Sequence, residues 1–186
     1  GSEMSRISQR LSNGGGLVCY LTAGFPSEGR DLDYVLACVE GGADVVEIGA
    51  PFSDPVADGK VIQYTSQKAL ENGTTPAKVF DLARKVRERS DVPIVIMGYY
   101  NPIFRIGEER YVRGAKAAGA DGFIVPDLPM EESASLERSC SAEGMDLIQL
   151  VGPTTSEERM KRIAARSSGF LYVVSSLGTT DARGRP

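Results

Sequence analysis

The residues of this sequence best suited to moving protons are concentrated in one stretch. Residues 44–63, DVVEIGAPFSDPVADGKVIQ, begin as a short apolar run, Val45-Val46-Glu47-Ile48, with an ionisable Glu47 inside it. The run breaks at Gly49 and Pro51 into a loop that carries Asp54 and Asp58. A carboxylate among apolar neighbours is costly unless it is paired, hydrogen-bonded or neutral. An acid at the end of a strand that feeds a Gly/Pro/Asp loop lies at the carboxyl edge of a sheet, where folds of parallel strands keep their chemistry. Two carboxyl groups in unlike settings, one in a strand and one in a loop, can hold unlike protonation states and take unlike roles. The sequence has no histidine. A Ser-His triad and histidine metal sites are therefore excluded, and proton transfer falls to carboxylates, Tyr, Lys, Cys or water.

The elements that must position these groups are those of an ordinary domain. The chain has 186 residues, 41% of them hydrophobic, enough for one domain with a sizeable core. A net charge of -4 offers no basic field for nucleic acid or an anionic membrane surface. No apolar run approaches the ~20 residues of a membrane span. Cys19, Cys38 and Cys140 are odd in number and lack metal-ligand spacing, which fits free thiols in a reducing cytoplasm. Residues 1–4, GSEM, read as an expression remnant, leaving 5–186 as the folded part.

Apolar runs predict strands at 17–21, 45–48, 94–97, 123–125, 147–151 and 170–174. Each ends in a loop rich in Gly, Pro, Asp or Ser. Between them, helical periodicity predicts helices near 60–71, 76–89, 108–118, 131–143 and 156–165, and Leu32, Val35, Leu36 and Val39 trace one more helix face. Thr75 with Pro76 reads as an N-cap, and Thr155 with Glu158 as a capping box. Gly42-Ala43-Asp44 and Gly119-Ala120-Asp121 form a faint repeat, each closing a helix and turning into a strand. Continuous apolar strands alternating with helices, without a GxGxxG fingerprint, predict parallel strands buried on both faces and a (β/α) barrel rather than a Rossmann fold. A closed barrel takes eight such units and the pattern holds six, so the expected fold is an incomplete (β/α)8 TIM barrel. Its interior is expected to include Val18, Val46, Ile96 and Val173. Its first and sixth strands are expected to be open edges prone to self-association.

The motif string is specific. PFSDPVADG with Glu47 four residues before Pro51, LTAGFP at 21–26, YYNP at 99–102, VPDLPMEES at 125–133, LVGPTT at 150–155 and LYVVSSLGTT at 171–180 together resemble the tryptophan synthase alpha chain family. The resemblance runs in register over nearly all of 17–180. It implies a lyase of tryptophan biosynthesis that cleaves indole-3-glycerol phosphate to indole and glyceraldehyde 3-phosphate. It further implies that no cofactor or metal takes part and that a beta subunit receives the indole.

Carried onto this sequence, the resemblance makes Glu47 the general acid and base. Asp58 becomes the anion that holds the indole N–H, and Tyr172 an active-site tyrosine. Tyr20, Met97, Ile124 and Leu150 become the apolar wall around the indole, and Thr180 the lid threonine. Each has a plainer reading as well. Glu47 would pair an arginine, Asp58 would be a turn residue before Gly59, Tyr172 a core aromatic, and the wall residues barrel filling. Asp181 stands where the family has a glycine after the lid threonine, placing negative charge near a phosphate dianion. The phosphate-holding loops after strands seven and eight lie beyond the six units, so weakened activity is expected of this chain. The alternatives are a non-catalytic barrel fragment and another phosphate-binding TIM-barrel enzyme.

Overall fold

The computed structural model describes residues 5–11, 16–52, 60–152, 154–166 and 172–173. Five parallel strands form one sheet in chain order: β1 (Val18–Thr22), β2 (Val45–Gly49), β3 (Ile94–Met97), β4 (Gly122–Ile124) and β5 (Asp146–Ile148). A sheet whose strands neighbour one another in sequence order has no switch point, which separates the barrel type from doubly wound sheets. Two further short strands, β6 (Leu150–Val151) and β7 (Tyr172–Val173), pair in parallel with each other. The single strand expected over 147–151 is thus two. Its amino half pairs with β4 and, past Gln149, its carboxyl half pairs with β7. The shear of a barrel does this, because a tilted strand meets its two neighbours at different heights.

The sheet has two unlike faces. On one, Val46, Ile48, Ile94, Ile96, Phe123 and Leu147 pack under the helices α2 (Arg30–Glu40), α4 (Pro76–Arg87), α6 (Glu108–Ala117) and α7 (Ala134–Ala142). Burying each isoleucine of this layer contributes about 2 kcal/mol. On the other face, Val45, Val95, Ile124 and Ile148 form a separate cluster. That cluster is closed from below by Ile7 of the short helix α1 (Arg6–Leu11). Val46 and Ile96, expected inside the barrel, therefore belong to the outer layer beneath the helices. In a run apolar at every position, no alternation marks the face. Val18 does share the inner face, being paired with Val45. It is also exposed, since among the described strands β1 has β2 as its one neighbour.

The helices follow their sequence signals with a few differences. Thr75 caps α4 through the Lys78 N–H, with Pro76 at its first position. The buried face of α4 is Val79, Leu82, Ala83 and Val86. The helix α8 (Glu157–Arg166) is capped by Ser156, whose Oγ accepts the Arg159 N–H at 3.1 Å. The expected cap, Thr155, instead accepts the Gly152 N–H and closes the preceding turn. The expected helix over 131–143 is a 3-10 turn (Met130–Glu132) followed by α7, with a break at Ser133. Residues 99–102, read as loop, open an unforeseen helix, α5 (Tyr100–Ile106), despite Pro102, which falls in its first turn where no intrahelical donor is needed. The helix α3 (Lys60–Glu71) matches its expected span.

The Gly-x-Asp repeat is a structural unit. Gly42 and Gly119 adopt positive φ, 98° and 93°, ending α2 and α6. The Asp44 and Asp121 N–H groups donate to the carbonyls of Leu17 and Ile94, and their carboxylates accept the N–H of those same residues. Each aspartate thereby splices the start of one strand onto its neighbour. Gly144-Met145-Asp146 is a third copy, with Met145 N–H bonded to Cys140 as Ala43 is to Cys38 and Ala120 to Ala115. Methionine in place of alanine hid it from the sequence pattern.

Candidate active site

Glu47 sits at the middle of β2, in register with Tyr20 of β1 and Val95 of β3. It is 1% exposed, and its Oε1 has no hydrogen-bond partner. Burial pushes its carboxyl up to about 7, so near neutrality it holds a proton that an exposed glutamate would have lost. The reading of Glu47 as a carboxylate paired with an arginine has no such pair behind it among the described residues. A carboxyl poised at this value, in a strand and with a free oxygen, can both donate and accept a proton.

The surrounding residues follow from strand parity. Residues two apart share a face, so Glu47 and Gly49 lie on the inner side with Val45 beneath them. Gly49 is needed there: a Cβ would come within 1.9 Å of the Tyr20 hydroxyl oxygen and 2.6 Å of its ring. Tyr20 thus lies over the strand end beside Glu47. Met97 pairs with Ile124, and both pack with Leu150 on the inner cluster. All four expected wall residues, Tyr20, Met97, Ile124 and Leu150, are thereby gathered on the face that carries Glu47. Tyr172 is in register with Leu150 through its backbone. Asp54, Asp58, Thr180 and Asp181 lie outside the described residues.

Loops at the carboxyl ends of the strands are fastened by groups to which no role was assigned from sequence. Asp31, 5% exposed, accepts the N–H groups of Gly24, Gly29 and Leu32 and so clamps the loop after β1. Asn72 donates to the carbonyls of Gly24 and Pro26 in that same loop. Thr22, at the end of β1, bonds Thr65 of α3 at 2.7 Å. Asp127, within the VPDLP motif, accepts the Tyr100 N–H and caps α5. The Phe52 and Tyr99 rings stack at 4.5 Å, joining the loop after β2 to the loop after β3. The Gly/Asp composition of these loops announced turns, but the partners are up to 48 positions apart, beyond any local pattern.

The model of the family described as tryptophan synthase alpha chain matches residues 7–186. The chain belongs to the tryptophan synthase alpha chain family. The alpha chain of Methanosarcina barkeri is 47% identical over 97% of this chain and 70% of its own length. A structure of Mycobacterium tuberculosis tryptophan synthase superposes with a TM-score of 0.91 at 32% identity, over 97% of this chain and 72% of that one. A tryptophan synthase complex from Pyrococcus furiosus gives 0.83 at 42% identity, over 86% and 66%. The chain thus spans about two thirds of the length of its alpha-chain relatives. The parallel strands and covering helices seen here are the corresponding part of the family's TIM barrel. No helix among the described residues is long and apolar enough to cross a membrane.

Proposed function

We propose that this chain acts as the alpha chain of a tryptophan synthase, cleaving indole-3-glycerol phosphate to indole and glyceraldehyde 3-phosphate. The observation that carries the reading is Glu47: buried, with an unpartnered oxygen and a proton held up to about 7, on the inner face of the sheet in a member of this family. Protonated Glu47 gives its proton to the indole ring carbon that bears the side chain, leaving a cationic ring. The resulting carboxylate takes the proton of the side-chain hydroxyl. The carbon–carbon electrons then return to the ring, an aldehyde forms, and Glu47 ends protonated as it began.

In the same reading, Asp58 accepts the indole N–H and offsets the developing positive charge, and Tyr172 completes the site. Tyr20, Met97, Ile124 and Leu150 supply an apolar wall, and Thr180 belongs to the lid. The apolar setting that raises Glu47 also strengthens any charge interaction made within it.

A tryptophan synthase beta subunit is the proposed partner, supported by the Pyrococcus furiosus structures of tryptophan synthase complexes, one of them an α2β2 assembly. The proposed contact is with residues 51–59 and 99–103, the segments that follow β2 and β3 in the sequence. A cytoplasmic setting belongs to the same reading and fits the three cysteines, all free thiols.

The test is indole release from indole-3-glycerol phosphate. The reading requires turnover that Glu47→Gln removes through kcat, and kcat/KM that falls as pH rises through about 7, where Glu47 loses its proton. Turnover by Glu47→Gln at the parental rate would assign the chemistry elsewhere.

A further inference from the structure

The carboxyl end of β1 is tied to α3, the helix that follows β2. Thr22 closes β1, in register with Gly49, and shares the inner face with Tyr20 two positions earlier. It is 3% exposed, so its hydroxyl needs a partner within the protein. That partner is Thr65 of α3, the two Oγ1 atoms lying 2.7 Å apart. Thr65 Oγ1 also donates to the Ile62 carbonyl at 3.0 Å, in the first turn of α3. A helical threonine is suited to this, because its Oγ1 can reach back to a carbonyl three positions earlier. A hydroxyl has one proton, and Thr65 has placed it on Ile62, so Thr22 is the donor to Thr65. The result is a directed chain from Thr22 through Thr65 to Ile62. Ile62 and Tyr20 border one largely apolar groove, together with Thr22, Phe25 and Val61. Other contacts hold the rest of α3. The Tyr64 ring meets Phe25 edge-on at 6.1 Å, and Asn72, just beyond the helix, binds the carbonyls of Gly24 and Pro26. Loss of the threonine chain therefore frees the first turn of α3 without detaching the helix.

We propose that Thr22 and Thr65 are positioning residues for substrate binding, seating the first turn of α3 so that Ile62 stands beside Tyr20. The inference rests on the proposed cleavage of indole-3-glycerol phosphate, with Tyr20 in the wall around the indole. Both hydroxyl protons are used within the protein, so neither group takes part in proton transfer. Their contribution is preorganisation: a wall already in place spares the substrate the cost of ordering it. The effect falls on KM, because an apolar wall holds substrate and transition state alike.

The experiment measures indole release and amide hydrogen exchange in Thr22→Val, which keeps the shape and removes the donor, and in Thr22→Ser, which keeps the donor. The expected result is a KM about 5-fold higher in Thr22→Val, the worth of one neutral hydrogen bond, with kcat unchanged. Exchange of the α3 amides should quicken by about the same factor while that of β3 and β4 stays as in the parent. Thr22→Ser should restore the parental KM. Thr65→Val should raise KM as well, and the Thr22→Val/Thr65→Val pair should do no worse than Thr65→Val alone, since both act through one chain. A loss carried by kcat, faster α3 exchange with an unchanged KM, or exchange that quickens throughout the sheet would overturn the inference. So would a Thr22→Ser chain as weak as Thr22→Val. A parent that turns over indole-3-glycerol phosphate, with a Thr22→Val variant of equal KM, defeats this inference alone. A parent that neither turns over nor binds that substrate defeats the proposed function, and this inference with it.

Discussion

Glu47 and Asp121 are acids of the same sheet, one in the middle of a strand and one just before a strand begins, and they are treated in opposite ways. Asp121 immediately precedes β4 and is enclosed by partners: Arg6 at 2.7 Å, Arg87 at 2.8 Å and the Ile94 N–H at 2.9 Å. Arg87 in turn binds the carbonyls of Gly119, Ser90 and Val92. These bonds join strands and helices near the amino ends of β3 and β4. Glu47 lies on the inner face with an oxygen left without a partner. A buried carboxyl without a counter-charge keeps its proton and weakens the fold at neutral pH. The Asp121 cluster is built for stability, whereas Glu47 is left unsatisfied on the inner face, as a group for chemistry would be; Asp146 Oδ2, at the start of β5, is also buried without a partner.

The contrast breaks most sharply in activity. Glu47→Gln should lower kcat for indole release by about 10³-fold, in the range expected for a lost general acid–base group, with near-native circular dichroism. Asp121→Ala should leave the site's chemistry intact but cost about 3 kcal/mol in urea unfolding, because the largely buried Arg87 loses its counter-charge and the Ile94 N–H its acceptor. A loss below 0.5 kcal/mol would mean that the amino-end network is dispensable.

The pH dependence of stability sharpens the same contrast. Folded Glu47 keeps its proton up to about 7, whereas an unfolded glutamate releases it near 4.5. Between those values the folded state binds more protons, so stability falls as pH rises through the window and levels off above it. The full difference is about 3 kcal/mol. Urea titrations at either end of the window should show that loss in the parent and its near absence in Glu47→Gln; equal slopes would refute it.

Smaller effects mark the borders of the two regions. Gly49→Ala should cost about 2 kcal/mol and depress indole formation, since the new Cβ overlaps the Tyr20 hydroxyl at 1.9 Å. Ser156→Ala should cost about 1 kcal/mol, the worth of an N-cap. Replacing Thr155, by contrast, should leave the helicity of α8 unchanged by circular dichroism.

Sequence by itself determined the order and type of the main elements, because strand and helix periodicity and cap chemistry are local. Helical spacing alone puts Val79, Leu82, Ala83 and Val86 on one face of α4 and Tyr111, Val112 and Ala115 on one face of α6, and these are the residues that are buried. Glu47 stood out for an equally local reason, an acid within an apolar run. What only the tertiary structure decided depends on residues distant in the chain. Runs apolar throughout, such as Val45-Val46 or Ile94-Val95-Ile96, carry no alternation, so which side faced the helices was settled by packing. The change of pairing partner at Gln149 follows from barrel shear. The Arg6–Asp121 pair joins residues 115 positions apart, and no local pattern encodes a contact of that range.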